Sequence, residues 1–264
     1  MERRQFLTTS LAAAALGVAG KAEGQGTTKQ TREYYRIERY TLQNGPQTKL
    51  TETYLNDAFI PAIARHGMGP VGAFSLSFGP ESPTYYVLIP GPDPAALAKL
   101  ELDLSGDDEF LKAARPFWAA PSAAPAFLRV ETYLLAAFEG WPKLTLPPAS
   151  ATKSKRIFQL RTYEGPSFQA HVDKVKMFHS GEFDIFARAG FHMVFFGDTL
   201  VGSRMPNLTY MLCFEDNAEL DAKWKLFGND PEWKKLSADP RFAYEPIVSN
   251  ITNLVLSPLA ASQI

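Results

Sequence analysis

The sequence predicts an α+β protein in which two tandem ferredoxin-like (βαββαβ) units close their sheets on each other as a pseudo-dimeric α/β barrel. Three observations carry that expectation. Short signatures recur about 123 residues apart, far beyond the roughly 20–50 residues of solenoid repeats, so each copy is a whole unit rather than one turn of an array. Within each copy, segments of period 2 and of helical period alternate as strand, helix, two strands, helix, strand. A proline-rich stretch divides the copies.

The 264 residues are 45% hydrophobic and 21% charged, which excludes a disordered chain and a polytopic membrane protein. With 27 basic against 28 acidic side chains, the basic footprint of a nucleic-acid binder is missing. The single cysteine, Cys213, excludes an intrachain disulfide and a cysteine-built zinc site.

Residues 1–24 read as an export signal: Arg3 and Arg4, a weakly apolar stretch over 7–20, then small residues around a cleavage point. Arg3-Arg4-Gln5-Phe6-Leu7 resembles a twin-arginine (Tat) signal, although Glu2 and Thr8 depart from its usual flanks and a general secretory signal is the alternative. The expected location is periplasmic or secreted. The stretch is shorter than the roughly 20 residues of a membrane span, so no stable anchor is expected after cleavage.

The first unit is expected over residues 33–140, the linker over 141–155, and the second unit over 156–258. Tyr35-Arg36-Ile37-Glu38-Arg39-Tyr40 recurs as Phe158-Gln159-Leu160-Arg161-Thr162-Tyr163, Arg65 recurs as Arg188, and Phe110 as Trp233, all at 123. Thr84-Tyr85 matches Thr209-Tyr210 at 125, which reads as two residues inserted and later removed. Pro142, Pro147 and Pro148 suit the linker, since proline ends helices and leaves strand interiors.

In the second unit, residues 156–164 alternate and meet Gly165-Pro166, a strand ended by a turn. Ser167 is a helix N-cap, and Gly190 stops that helix at its left-handed C-terminal position. Residues 192–196 and 208–214 are short β-branched and aromatic runs, hence strands. Helices follow over 217–227 and from Asp230-Pro231, an N-cap aspartate with proline at the first helical position. A last strand covers 248–256. This order places both helices on one face of an antiparallel sheet and leaves the other face to be covered by the tandem copy.

Residues 158–164 and 178–186, with the stretch from Val201 to Met211 and the helix Asp230-Pro231-Glu232-Trp233, resemble a NIPSNAP domain. The first unit resembles it in outline only, through the repeat. The resemblance implies the dimeric α/β barrel superfamily and does not supply a reaction.

Familiar catalytic motifs are missing. Gly67-Met68-Gly69-Pro70-Val71-Gly72 fits the dinucleotide pattern as written, but a helix precedes it and a strand follows, the reverse of what presents backbone donors to a pyrophosphate. His66, His171, His179 and His192 lack the spacing of a zinc helix. Phe168, Val172, Val175, His179, Glu182 and Phe186 step by four and three along the long helix and fall on one stripe. His179 and Glu182 are therefore candidate catalytic groups, an acid or base with a buried carboxylate; the alternative is a satisfied structural pair. Arg161 and Tyr163, with Gln159, are expected on the open face of their strand, as are Arg36, Glu38 and Tyr40. They are candidate ligand contacts or a network that docks the two units. Arg204 and Tyr210 are candidates to gate a pocket. Arg65 and Arg188 sit where cations suit helix C-termini.

Two functions follow as alternatives. One is an exported barrel that binds a small apolar or aromatic ligand or a protein partner without catalysis. The other is an enzyme of the kind the superfamily supports, a cofactor-free monooxygenase or isomerase, or a haem protein with His179 or His171 as axial ligand. No particular cofactor is called for, and a further homo-oligomer is compatible with the internal pseudo-dimer.

Overall fold

The computed structural model describes residues 31–79 and 81–264; the expected export signal lies outside them. Eight strands form one closed antiparallel barrel: β1 (Tyr34–Thr41), β2 (Gly72–Phe78), β3 (Thr84–Gly91), β4 (Arg129–Ala137), β5 (Ile157–Glu164), β6 (His192–Val201), β7 (Asn207–Phe214) and β8 (Asn250–Pro258). Around the wall they run β1-β3-β2-β8-β5-β7-β6-β4. The β2·β8 and β4·β6 ladders join the first four strands to the last four, so neither set keeps a free edge.

Helices cover the outside. In the first half these are α1 (Pro46–Tyr54), α2 (Ile60–Arg65), α3 (Pro94–Ala98), α4 (Leu100–Leu104) and α5 (Asp108–Trp118). In the linker stands α6 (Pro148–Thr152). The second half has α7 (Phe168–Met177), α8 (Phe183–Arg188), α9 (Asn217–Asn229), α10 (Pro231–Ser237) and α11 (Tyr244–Ile247). The expected caps are in place: the Ser167 side chain accepts from the Ala170 amide, and Asp230 accepts from Glu232 and Trp233. Gly67 and Gly190, 123 apart, end α2 and α8 with φ of 72° and 76°, which a β-carbon would oppose.

The repeat is more regular than its letters. Tyr40 pairs with Tyr85 in β1·β3, and Tyr163 pairs with Leu208 in β5·β7, so the register keeps a constant offset of 123. Val87, not Tyr85, stands where Tyr210 stands, and no two-residue insertion is needed; the Thr-Tyr match at 125 is a coincidence of composition. Both long helices are also broken by a π-helical turn at matching positions, Leu55–Phe59 and Phe178–Glu182.

Each strand has two buried faces. Outward, Tyr40, Tyr54, Phe59 and Phe117 pack between wall and helices in the first half, and Tyr163, Phe178, Phe186 and Tyr210 in the second. Inward, Ile37, Phe74, Phe158, Leu160 and Phe195 fill the barrel from both halves. Burying each such ring contributes about 1.5–3 kcal/mol. The expected placing of Arg36, Glu38, Tyr40, Gln159, Arg161 and Tyr163 in the inter-sheet layer is therefore inverted. Alternation groups them correctly, but that group faces the helices, where charged helix residues meet it, while the apolar group lines the barrel.

Candidate functional site

One end of the barrel is plugged and the other is open. At the plugged end Phe74 stacks edge-on to Phe158 and Tyr35 lies against Phe195, with ring centroids 4.8 and 4.9 Å apart. At the open end, where β1, β2, β5 and β6 finish, lies a cavity of about 360 Å³, within the size range of small-molecule sites. Leu76, Leu135, Leu160 and Leu254 form its floor.

The rim is polar, and its first-half side is built around Arg39. Register places Tyr86 and Glu131 on either side of Arg39, and Tyr133 opposite Ile37. The Arg39 guanidinium donates to Glu81 (2.5 Å) and Glu131 (2.9 Å), while its Nε is buried without a partner among the described residues. Burial pushes the Tyr86 phenol up to about 12, against the pull of Arg39, so it stands protonated as a donor at neutral pH. A β-carbon on Gly202 would come 2.7 Å from the Tyr133 ring; glycine there lets the β6–β7 hairpin lie over that phenol. The second-half wall carries uncharged polar groups below its hairpin: the Thr162 and Thr209 hydroxyls bond each other at 2.8 Å, and Asn207 bonds Thr199 and the Ser203 and Arg204 carbonyls.

Of the candidate site residues, Arg204 lies at this rim. It holds a left-handed backbone (φ 58°), donates to the Thr252 hydroxyl at 3.1 Å and stands 3.8 Å from the Glu164 carboxylate. The other five predicted site residues lie elsewhere. Arg161, Tyr163 and Tyr210 face α7 and α9, where the two tyrosine hydroxyls bond each other at 2.8 Å and Arg161 lies over the Trp224 ring at 4.4 Å.

Glu182 is buried there too, but its partner is not His179. Lys174 donates to Glu182 at 2.8 Å with both side chains 2% exposed, and burial still raises the Glu182 carboxyl above its usual range. His179 is exposed on the other side of the helix, with Nδ1 donating to the Val175 carbonyl and Nε2 accepting from the Gly140 amide. That arrangement fixes its tautomer and leaves no ring nitrogen for a substrate proton or a haem iron. The cause is the π turn. Its longer hydrogen-bonded ring, with Gly181 at φ 133°, rotates the register of the stripe, so that Phe168 is 74% exposed and the buried line runs through His171, Lys174 and Phe178 to Glu182. His171 bonds Asp198 at 2.6 Å. Nor are Arg65 and Arg188 mere dipole partners: they bond the N-cap aspartates of α5 and α10, Asp107 at 2.7 Å and Asp230 at 3.0 Å.

A wider groove beside His179 is lined by Lys176 and Arg241. These are already paired with Asp173 and Asp239, and none of its lining residues holds a buried unpartnered donor among the described residues. The barrel mouth thus combines what the groove and the helix-side cluster lack, an apolar floor with donors left unused. Its residues Arg39, Tyr86, Tyr133 and Thr162 escape a reading that follows only the polar phase of each strand. The signal is that Arg39 and Thr162 end the apolar phase after Ile37 and Leu160.

The family profile for NIPSNAP matches residues 158–263. No curated protein matches the chain in sequence. Among solved structures, a presumed monooxygenase of Lactobacillus acidophilus NCFM aligns at 9% identity over 86% of this chain and 94% of its own, with a TM-score of 0.54. Another presumed monooxygenase, from Fusobacterium nucleatum, aligns at 10% identity over 87% of this chain and 94% of its own, with a TM-score of 0.56. A NIPSNAP-like domain protein of Burkholderia xenovorans aligns at 16% identity over 40% of this chain and 87% of its own, with a TM-score of 0.36. At such identities the long alignments speak for the fold alone. The profile match thus lies in the second half of the chain, within a closed eight-stranded barrel that has helices outside.

Proposed function

We propose that the chain binds a small, largely apolar molecule at the mouth of the barrel without converting it, the two ferredoxin-like units at 33–140 and 156–258 acting as the halves of a pseudo-dimer. One observation carries the reading: the leucine floor sits beside a half-buried donor, the Tyr86 hydroxyl, to which no described residue offers a hydrogen-bond acceptor. Buried or half-buried donors are normally partnered, and a bound molecule is the partner this position accommodates. The same cavity would serve a cofactor-free monooxygenase or isomerase, and conversion of the bound molecule in air would establish that second reading.

The test is a fluorescence titration with N-phenyl-1-naphthylamine, an uncharged apolar dye. The expected result is one dye per chain, and its loss in Leu160→Trp, which fills the floor, and in Thr162→Phe, which narrows the opening. Undiminished binding in both variants, each shown to be folded by circular dichroism, would refute the site. Export through the twin-arginine signal is part of this reading. Changing Arg3 and Arg4 to lysine is expected to retain the precursor in the cytoplasm, and unaltered export would remove it.

A further inference from the structure

The two walls of the cavity occupy equivalent register positions and differ in kind. Arg39, Tyr86 and Glu131 on the first half stand where Thr162, Thr209 and Thr252 stand on the second. On the threonine side, Thr162 and Thr209 satisfy each other and Thr252 accepts from Arg204. On the arginine side the charges are matched but the donors are not. Arg39 is held between Glu81 and Glu131, Arg129 reaches the same Glu81 at 3.1 Å, and Arg204 stands beside Glu164. An anionic ligand would find every one of these arginines already facing a carboxylate and would itself face Glu81 and Glu131; a cation would need carboxylates already held by arginine. What remains free toward the cavity is hydrogen-bond donation by two phenols: the Tyr86 hydroxyl, and the proton of the Tyr133 hydroxyl, whose oxygen accepts from Ser203 at 3.4 Å.

Resting on the reading of the mouth as a ligand site, we infer that the ligand is an uncharged compound with a carbonyl-type acceptor oxygen, held by the hydroxyls of Tyr86 and Tyr133 with its apolar body on the leucine floor. Two phenol donors stand on β3 and β4, the strands on either side of β1, and an oxygen with two lone pairs matches such a pair while a donor such as an amine does not. The high range of the Tyr86 phenol keeps that donor protonated at any physiological pH. Tyr86 and Tyr133 are then the specificity-determining residues of the site, and the threonine wall supplies methyl contacts.

Three probes of nearly equal size separate the possibilities by calorimetry: 2-acetonaphthone, a ketone; 2-ethylnaphthalene, its hydrocarbon counterpart; and 2-naphthoate, its carboxylate counterpart. The ketone is expected to bind at least about fivefold tighter than the hydrocarbon, the equivalent of one net hydrogen bond, with naphthoate weakest. Tyr86→Phe and Tyr133→Phe each keep the ring; each is expected to weaken the ketone about fivefold and to leave the hydrocarbon unchanged. If naphthoate binds as tightly as the ketone, or if neither phenylalanine variant affects the ketone, the inference is overturned while the cavity stands as a site. If none of the three binds, the inference falls together with the proposed function.

Discussion

The first and second halves of this barrel share a backbone plan and differ in what they place at matching positions. Inside the mouth the first half carries Arg39, Tyr86 and Glu131, and the second half carries threonine at all three matching positions. On the long helix the contrast reverses at two positions: the second half buries Lys174 and Glu182 where the first has Thr51 and Phe59, the latter two also buried, while the first half buries its own pair, Arg36 and Glu38, on β1. A repeated scaffold fixes where side chains point, and each copy is then free to vary them. Here one copy supplies the phenolic wall of a cavity with Arg39 and Glu131 beside it, and the other faces it with threonines, with Arg204 at the rim.

Breaking the buried pair is the largest perturbation available. Lys174→Met leaves Glu182 ionised or forced to protonate in a dry site and is expected to cost about 3–5 kcal/mol in urea denaturation. Thr51→Val, at the matching position, removes only the hydroxyl's bond to the Gln47 carbonyl and is expected to cost less than about 1.5 kcal/mol. The double change Lys174→Met/Glu182→Leu is expected to recover most of the loss, and equal costs at 174 and 51 would erase the contrast.

Tyrosines on the two faces sharpen it next. Tyr163→Phe breaks the bond to Tyr210 and is expected to lower stability by about 1 kcal/mol with dye binding unchanged, whereas Tyr86→Phe is expected to leave stability alone and change ligand affinity. His179→Ala loses the clamp between α7 and the segment after β4. A stability loss of about 1 kcal/mol, again with unchanged binding, is the expected result, and loss of binding with full stability would return His179 to the site.

The smallest effect tests where the halves should agree. Hydrogen bonds from the Phe110 amide and Arg65 lower the Asp107 carboxyl, and bonds from Arg188 and backbone amides lower Asp230. A lowered carboxyl stabilises the fold above its unfolded value of about 3.9, and that contribution is lost as pH falls through the lower folded value. Asp107→Asn and Asp230→Asn should therefore flatten the acid limb of the stability curve alike, seen as smaller differences between denaturation midpoints at pH 7 and pH 3. Glu38 and Glu182, raised by burial, act with the opposite sign, favouring the fold below their ordinary values and losing that contribution as pH rises through the raised ones.

Much of the architecture was legible in the letters because it depends on local chemistry. Ser167, Asp230, Gly67 and Gly190 act within a few residues of themselves, and the strands that pair β1 with β5 in the repeat carry the same tyrosine. The site was less legible for two physical reasons. A strand buried on both faces alternates without saying which face is which, so alternation groups Arg161 with Tyr163 and leaves open that their side faces the helices. A π turn leaves no signature in spacing, and past it a stripe drawn at 3.6 residues per turn exchanges Lys174 for His179 as the partner of Glu182. Arg204 lines the barrel mouth because the β6–β7 hairpin returns to the barrel end it leaves.

The central claim is that the open end of the barrel, and not the helix layer, receives the ligand. A crystal structure of the chain soaked with 2-acetonaphthone addresses it directly. The ring system is expected over Leu76, Leu135 and Leu160 with the ketone oxygen within hydrogen-bond distance of the Tyr86 or Tyr133 hydroxyl. Density for the ketone beside His179, or between Lys174 and Tyr210, with an empty barrel mouth, would contradict it.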